Sequence, residues 1–363
     1  MTPDRLPGRP TLPDLAGFDA IIDVRSPAEF AEDHIPGATN CPVLDDEQRI
    51  VVGTLHKQAS PFEARKVGAA MVSENIARYL RANFLAMPKE WKPLIYCWRG
   101  GNRSGAMTTV FRAIGWKAVQ LDGGYKTWRS HVIAQLEQQP PDLSFRVVCG
   151  ATGSGKTRIL QAIAELGEQV LDLETLASHK GSVLGVLPGQ PQPSQKWFET
   201  LLLQAVSTFD PTRPVYVEAE SRKIGRLHVP ETLLESIRQG ERLDIEATLA
   251  ARVAFLLTDY DYFLQMPELL LDRLDGLKNL HSRETFARWH ELVQSADWAT
   301  LVQELLEQHY DALYRRSQGL HFLGSRHPVA FTTDDLSPCG IADLAKRIVQ
   351  STFTDSPRTA QIA

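Results

Sequence analysis

The apolar residues in the first part of the chain follow two kinds of pattern. Compact apolar runs, typical of buried strands, lie at 20–24, 93–97 and 118–121. Spacing typical of helices lies at 64–85 and 104–114. Strands that alternate with helices favour a parallel sheet covered by helices. We therefore predict an α/β domain at 1–138.

The middle of the chain repeats this alternation. Apolar runs at 145–149, 169–173 and 215–218 predict strands, and a helical pattern begins at Lys156. After residue 231 the spacing is that of helices almost throughout. We predict an α/β core at 145–230 and a helical extension at 231–363 that completes the same domain.

A segment with two prolines separates the two α/β regions. Pro140 and Pro141 follow a helical stretch, and neither can continue a helix. A chain of 363 residues also exceeds what one hydrophobic core usually holds. We expect two domains joined by a linker at 138–144.

Composition excludes several classes of protein. Apolar residues make up 43% and charged residues 23%, which is ordinary for a globular protein. No apolar run approaches the roughly 18–20 residues that span a bilayer. The four cysteines are far apart and show no CxxC spacing, which argues against a disulfide framework and a structural zinc site. We expect a cytoplasmic monomer that uses no membrane and no structural metal.

The charge is unevenly distributed. The formal net charge is -5, and residues 231–311 carry 16 acidic side chains against 7 basic ones. An acidic surface repels polyanions. A polyanion would therefore be expected at residues before 231 or after 311.

Residues 94–105 place a cysteine in a glycine-bearing turn. Cys97 ends an apolar strand, two glycines follow, and a helix is predicted from Ser104. Glycines let consecutive backbone N–H groups turn inward, and a helix N-terminus adds partial positive charge. Arg99 and Arg103 add two more positive charges. We expect a reactive thiolate at Cys97 whose sulfur or selenium adduct would be held by the same donors.

Residues 150–157 read GATGSGKT, which matches the phosphate-loop pattern GxxxxGK[ST] at every fixed position. A strand precedes the motif and a helix follows it, as the pattern requires. We expect the loop to surround a diphosphate, Lys156 to neutralise it and the Thr157 hydroxyl to reach a Mg²⁺ ion. The predicted phosphate-binding residues are Gly150, Gly153, Ser154, Gly155, Lys156 and Thr157.

Acidic residues that follow the next strands are candidates to support a metal or a diphosphate. Glu218 ends the run at 215–218 and Glu220 follows it, and Asp172 and Glu174 form another pair at the end of the run at 169–173. Each of them could instead be a helix cap or a salt-bridge partner. The candidate contacts for phosphate or an RNA backbone are Lys180, Arg222, Lys223 and Arg226.

Three motifs, in order, resemble the rhodanese family. Residues 23–40 look like its N-terminal signature, the Cys97 loop looks like its active loop, and 123–128 look like its C-terminal signature. The resemblance covers about 12–135. It implies a rhodanese fold with Cys97 as the atom-transferring nucleophile. It also implies a mainly structural role for Asp23, Arg25 and Glu29.

The loop is one residue longer than in common rhodaneses. Five residues separate Cys97 from Arg103, and this spacing also resembles the loop of cysteine phosphatases. A longer loop makes a wider anion cradle. It leaves open phosphatase activity or a donor such as selenophosphate or a thiophosphate.

The combination of motifs resembles the bacterial tRNA 2-selenouridine synthases over about 12–330. The matching segments are 23–29, 52–58, 97–104, 123–126, 150–157, 172–174, 179–182 and 220–225. The resemblance implies a tRNA with 2-thiouridine in its anticodon as substrate. Geranyl diphosphate and selenophosphate are the implied co-substrates, and an enzyme that makes selenophosphate is an implied partner. We expect an apolar channel for the geranyl chain among the helices after 231.

Two other functions stay open from the motifs alone. A phosphate loop beside a sulfur-handling cysteine also suits an ATP-dependent sulfurtransferase. A non-catalytic module that binds a nucleotide and docks partners would use the same loops without chemistry. A cysteine phosphatase is less favoured, because the Cys97 loop contains no general-acid Asp.

Overall fold

The computed structural model describes residues 12–182, 184–314 and 328–351. By their contacts, these residues divide into two compact units. The first unit is Met1–Gln135 with Pro193–Leu203, and the second is Leu136–Gln192 with Gln204–Ala363. Within the described ranges, no helix is both long enough and apolar enough to cross a bilayer.

The first unit is built on a four-stranded parallel sheet. Its strands are β1 (Ala20–Asp23), β2 (Ala38–Asn40), β3 (Pro93–Tyr96) and β4 (Val119–Gln120). Their order in the sheet is β2-β1-β3-β4, and every neighbouring pair is parallel. Cys97 directly follows β3, a central strand whose residues are all buried. The sheet therefore presents Cys97 at its carboxyl edge.

Five helices connect and follow these strands. They are α1 (Pro27–Glu32), α2 (Asp46–Gln58), α3 (Pro61–Tyr79), α4 (Asn102–Ile114) and α5 (Tyr125–Gln138). The predicted helix at 64–85 is α3, which continues as a π-turn through Phe84. A 3-10 turn, Pro140–Asp142, follows α5 where the prolines end the helical pattern.

The second unit contains a five-stranded parallel sheet. Its members are β5 (Phe145–Gly150), β6 (Gln169–Leu171), β7 (Val215–Glu218), β10 (Glu241–Ala247) and β11 (Val329–Thr333), in the order β11-β10-β5-β7-β6. Two short strands, β8 (Lys223–Ile224) and β9 (Leu227–His228), form a separate antiparallel ribbon. The phosphate motif follows β5, the central strand. The predicted α/β class is thus confirmed in both units.

The helices of the second unit pack on this sheet or extend beyond it. They are α6 (Lys156–Glu165), α7 (Leu173–Ala177), α9 (Glu231–Arg238), α10 (Leu249–Asp259), α11 (Asp261–Gln265), α12 (Pro267–Leu274), α13 (Arg283–Gln294), α14 (Trp298–Leu305) and α15 (Pro338–Gln350). Most of α8 (Gln195–Val206) lies in the segment Pro193–Leu203 and so belongs to the first unit. Helices α6 and α15 share one apolar core with the sheet. Helices α11 to α14 surround a second core centred on Trp289.

The expectation of almost continuous helix after 231 is wrong at two places. Strands β10 and β11 lie in that region, and β10 pairs with both β5 and β11. In β10 the buried Leu243 and Ile245 alternate with charged residues. This alternation has the strand period of two, but the long helices on either side of it dominate the pattern.

The segment Pro193–Leu203 completes the first unit although it comes late in the sequence. Asp33 is fully buried, and its carboxylate accepts hydrogen bonds from the Thr200 hydroxyl at 2.8 Å and the Tyr125 hydroxyl at 2.7 Å. Trp197 stacks on the His34 ring at a centroid distance of 4.2 Å. Burial raises the pKa of Asp33, so these donors offset part of the cost of a buried carboxylate.

We predict that Thr200→Val destabilises the first unit. The substitution keeps the side-chain shape but removes a donor to a buried carboxylate, which costs about 1–3 kcal/mol. Calorimetric unfolding of the full chain should show the loss. The matched control is Thr109→Val, at an exposed position of α4 in the same unit. Equal melting of the two variants would contradict the role of Thr200.

Candidate active site

A close backbone approach shapes the Cys97 loop. Gly124 has a φ of 61°, and a Cβ at this position would lie 2.2 Å from the Cys97 carbonyl oxygen and 2.6 Å from the Gly100 nitrogen. The Tyr125 N–H donates to the Cys97 carbonyl at 2.8 Å. Only glycine fits at 124, and this explains the glycine pair of the 123–128 motif in physical terms.

The sulfur of Cys97 lies at the floor of this loop. Its Sγ accepts hydrogen bonds from the Gly101 N–H at 3.3 Å and the Ser104 hydroxyl at 3.1 Å. Gln120 Nε2 donates to the Ser104 oxygen at 2.6 Å and so orients that hydroxyl. Cys97 is only 3% exposed, which is deeper than the sequence suggested. The donors to the sulfur are in place, but little of the Cys97 surface is open to a reaction partner.

The other cysteines lie in different surroundings. Burial raises the pKa of Cys41 to about 11 and that of Cys149 to about 12. Cys149 is a buried residue of β5, and Cys339 is exposed. Cys41 and Cys97 both lie between a strand and the helix that follows it. They differ in that the sulfur of Cys97 accepts hydrogen bonds from the Gly101 N–H and the Ser104 hydroxyl.

The two arginines of the loop have different environments. Arg103 donates to both carboxylate oxygens of Glu29, at 2.6 and 3.2 Å, and Arg49 lies 3.4 Å from the same carboxylate. Burial raises the pKa of Glu29, but the hydrogen bond and the charge of Arg103 outweigh it and lower the pKa to about 2. Arg99 is exposed. Arg103 therefore supports the loop, and Arg99 is the cation that faces solvent.

Asp23 and Arg25 form a buried ion pair behind the loop. Arg25 donates to Asp23 at 2.6 Å, and its guanidinium lies 3.9 Å from the centre of the Tyr125 ring. Both charged residues are almost fully buried. They connect β1 to the turn that carries Gly124, in agreement with a structural role.

In the second unit, the phosphate loop joins β5 to α6. Lys156 begins α6, and its Nζ donates to the Gly150 carbonyl at 3.0 Å across the loop. The Ser154 hydroxyl is buried and has no hydrogen-bond partner among the described residues. An unpaired hydroxyl beside a lysine and a helix N-terminus suits an anion with several acceptor oxygens.

Three glutamates lie beside this loop. The Thr157 hydroxyl donates to Glu174 at 2.6 Å, and the Glu174 N–H donates to Glu218 at 3.0 Å. Glu218 is fully buried, and one of its oxygens has no partner in the described part of the chain. Burial and the neighbouring carboxylates raise the pKa of Glu218 well above its usual value. Burial, together with Glu174, raises the pKa of Glu220 to about 7.

Asp172 has a different role from these glutamates. Its carboxylate accepts from the Thr175 N–H at 2.8 Å and the Thr175 hydroxyl at 2.7 Å, which caps α7. Glu174 is the residue that contacts the phosphate loop. Across the described residues, no three carboxylate, histidine or cysteine side chains are placed to hold a metal ion together. A Mg²⁺ ion at a phosphate loop takes most of its ligands from a hydroxyl, water and phosphate oxygens and needs no cluster of three such side chains. The expected Mg²⁺ therefore stays a prediction.

Gly181 closes over the glutamates. A Cβ at 181 would lie 2.7 Å from an oxygen of Glu174 and 2.7 Å from an oxygen of Glu220, and the φ of Gly181 is 66°. The preceding Lys180 donates to Asp259 at 2.6 Å and lies 4.1 Å from the centre of the Tyr260 ring. The predicted phosphate contact at Lys180 is thus engaged within the protein.

The basic residues of the β8–β9 ribbon lie at the surface. Arg222 is 69% exposed and lies 3.3 Å from Glu231. Lys223 is exposed, and the Arg226 N–H donates to the Gln192 side chain at 2.8 Å. These side chains remain predicted contacts for phosphate or RNA. Residues 315–327, which include part of the region after 311, lie outside the described residues.

An apolar pocket lies next to the phosphate loop. Its cavity volume is about 70 Å³, and the pocket is partly open to solvent. Thr152 of the phosphate loop lines it, and leucine and aromatic side chains from α10, α11, α12 and α14 form most of its wall. The helices after 231 thus provide an apolar space that begins at a phosphate-binding element.

Sequence reasoning missed residues that come from distant positions. Arg252 donates to the Thr152 carbonyl at 2.9 Å and pairs with Asp311 at 2.6 Å, which holds the phosphate loop to α10. Gln120 was also missed. The signal for Gln120 was its position as a polar residue at the end of β4, the strand that pairs with β3. The sequence around Arg252 gave no such signal.

Two family models match separate parts of the chain. The model described as "Rhodanese-like domain" matches residues 11–131. The model described as "tRNA 2-selenouridine synthase AAA domain" matches residues 143–285. The first contains the Cys97 loop and the second contains the phosphate loop.

Several curated proteins are similar over most of the chain. The tRNA 2-selenouridine synthase of Alcanivorax borkumensis is 34% identical, over 85% of this chain and 94% of that protein. That of Marinobacter nauticus is 32% identical, over 81% of this chain and 87% of that protein. That of Nitrosomonas europaea is 36% identical, over 66% of this chain and 63% of that protein.

Among solved structures, the N-terminal domain of a putative ATP/GTP binding protein from Clostridium difficile is 35% identical. It covers 34% of this chain and 98% of that one, with a TM-score of 0.31. The family assignment comes from the relatives with long coverage. Their names are shared, and the matched regions include both loops described above. The chain belongs to the tRNA 2-selenouridine synthase family, whose members are enzymes that transfer selenium.

Proposed function

We propose that this enzyme converts 2-thiouridine at the wobble position of tRNA to 2-selenouridine in two steps. The phosphate loop serves a geranylation, and the Cys97 loop serves the selenation that follows. Family membership supports the overall conversion. The division into steps follows from two separate anion-binding loops, each at the carboxyl end of a central parallel strand.

In the first step, the base sulfur attacks C1 of geranyl diphosphate. A C–S bond forms, the C–O bond breaks, diphosphate leaves, and the base loses its N3 proton. Lys156 and the N-terminus of α6 stabilise the negative charge that develops on the diphosphate. The Ser154 hydroxyl, which has no partner among the described residues, is placed to donate to it.

In the second step, selenium from selenophosphate replaces the geranylthio group. A C2–Se bond forms, the C2–S bond breaks, and geranylthiol leaves. The phosphorus of the donor ends as phosphate through attack by water. Arg99 attracts the anionic donor, and the Gly101 N–H and the Ser104 hydroxyl stabilise negative charge at the reacting sulfur or selenium.

One observation carries the assignment of geranyl diphosphate. The phosphate loop shares Thr152 with a pocket that is lined almost wholly by carbon side chains. A diphosphate would contact the phosphate loop, and a hydrocarbon chain linked to it would contact the apolar lining of the pocket. The base and ribose of ATP would need polar partners, and the pocket wall offers few of them. This favours prenyl transfer over the ATP-dependent sulfurtransferase.

The remaining parts of the proposal concern partners and location. The exposed Arg222 and Lys223 of the β8–β9 ribbon are suited to the tRNA backbone. An enzyme that makes selenophosphate would supply the donor. We propose that the protein acts as a monomer in the cytoplasm, where tRNA is modified.

The first prediction separates the two steps at Cys97. Cys97→Ala should abolish selenation and leave geranylation intact, because the proposal places only the selenation at the Cys97 loop. Mass analysis of wobble uridines should then show S-geranyl-2-thiouridine accumulating. Cys339→Ala, at an exposed position, is the matched control and should behave as wild type. Loss of both steps in Cys97→Ala would contradict the division.

The second prediction concerns Lys156. Lys156→Ala should lower kcat/KM for geranyl diphosphate about tenfold or more, because a charge-assisted contact to the diphosphate is lost. Selenation of tRNA that already carries the S-geranyl group should be unchanged. Lys346→Ala, at an exposed position of α15, is the control. An unchanged geranylation rate in Lys156→Ala would refute the role of the loop.

The third prediction concerns pH. Burial and Glu174 raise the pKa of Glu220 from 4.5 to about 7. A carboxylate with a raised folded-state pKa stabilises the fold below its unfolded pKa, and this stability is lost as the pH rises through about 7. At about pH 8, the free energy of unfolding of Glu220→Gln should therefore exceed that of wild type by an amount on the order of 1–3 kcal/mol. At about pH 5, the difference between the two proteins should be smaller.

Thermal unfolding of the full chain at the two pH values measures this effect. Glu165→Gln, at an exposed position near the end of α6, is the matched control. A stability difference between Glu220→Gln and wild type that is the same at both pH values would contradict the raised pKa of Glu220.

A further inference from the structure

One helix face lines the apolar pocket along its length. The pocket residues of α14 and the π-turn that continues it are Trp298, Leu301, Val302, Leu305, Leu306 and Tyr310. Their spacing of three and four residues places them in a single stripe. The pocket is therefore elongated along this helix.

The end of the stripe near Tyr310 lies at the phosphate loop. Asp311, the next residue, pairs with Arg252 at 2.6 Å. Arg252 in turn donates to the Thr152 carbonyl at 2.9 Å. Thr152 also lines the pocket. This chain of contacts fixes which end of the pocket receives a diphosphate.

The opposite end of the stripe is Trp298. It precedes Tyr310 by twelve residues, which corresponds to roughly 18 Å along a helix. Trp298 is the first residue of α14 and is half-buried. Its indole is the largest side chain of the stripe, and among the stripe residues Trp298 lies furthest along the helix from Tyr310.

Polar atoms of the pocket lining are few. Thr152, Ser182, Tyr260, Trp298 and Tyr310 supply the polar side-chain atoms, and the remaining lining residues are leucine, valine and phenylalanine. Thr152 and Tyr310 lie at the phosphate end, as shown above. A ligand that is charged at one end and hydrocarbon along the rest fits this distribution.

We propose that this pocket binds the hydrocarbon chain of a prenyl diphosphate, with C1 near Thr152, and that Trp298 closes the far end and limits chain length. The inference rests on the proposed function and adds a specificity-determining residue to it. The C1 carbon then lies beside Lys156 and the diphosphate. The chain extends along α14 toward the indole of Trp298, which a longer prenyl chain approaches more closely than a geranyl chain does.

The test compares geranyl and farnesyl diphosphate as substrates of the full chain. Trp298→Ala opens the far end, so the ratio of kcat/KM for farnesyl to that for geranyl diphosphate should rise about tenfold or more. Val302→Phe narrows the middle of the pocket and should weaken binding of geranyl diphosphate. Binding of inorganic diphosphate should stay unchanged in both variants, because the phosphate loop is untouched.

Leu280→Ala, at an exposed leucine outside the pocket, is the matched control. Melting temperatures show whether the variants are folded, and Trp298→Phe serves as the milder variant if Trp298→Ala unfolds. Folded variants with the wild-type preference for geranyl over farnesyl diphosphate would overturn the inference.

The same experiment separates this inference from the proposed function. Wild-type protein that forms no S-geranyl product refutes the proposed first step. Wild-type protein that forms it, with variants that keep the wild-type chain-length preference, refutes only the assignment of the pocket and Trp298.

Discussion

Both candidate sites depend on backbone that comes closer than a Cβ atom would permit. Gly124 packs against the Cys97 carbonyl, and Gly181 packs against the oxygens of Glu174 and Glu220. Each contact forces a left-handed glycine and fixes the distance between two segments far apart in sequence. The Cys97 loop and the group of glutamates have their shape because these two positions have no side chain.

The pKa values of the partly or fully buried glutamates are shifted in opposite directions in the two units. In the first unit, Glu29 stays ionised because Arg103 binds it in two places and Arg49 adds to the pair. In the second unit, burial and the neighbouring carboxylates raise the pKa of Glu218 and of Glu220, which disfavours the ionised form of both. Protonation of either glutamate lowers the negative charge beside Lys156.

The sequence was most informative where a site is local. The phosphate loop and the Cys97 loop lie within short segments between a strand and a helix, and local pattern predicted both. Local pattern could not show that Asp172 caps α7 while Glu174 accepts a hydrogen bond from the Thr157 hydroxyl. The two acidic residues are close in sequence, and only the fold determines where each side chain points. Local pattern also could not show that Arg103 pairs with Glu29, or Arg252 with Thr152, because those partners are 74 and 100 residues apart. Strand β10 was missed because its alternation is short and helices surround it.

The segment Pro193–Leu203 has a consequence for how the chain is made. Asp33 receives its Thr200 hydrogen bond only after the ribosome has synthesised β5, the phosphate loop and β6. Domains usually fold as units in the order of synthesis. Here the amino-terminal unit stays incomplete while the core of the next one emerges. A cut at the proline linker would therefore yield a fragment with a buried carboxylate lacking one of its donors.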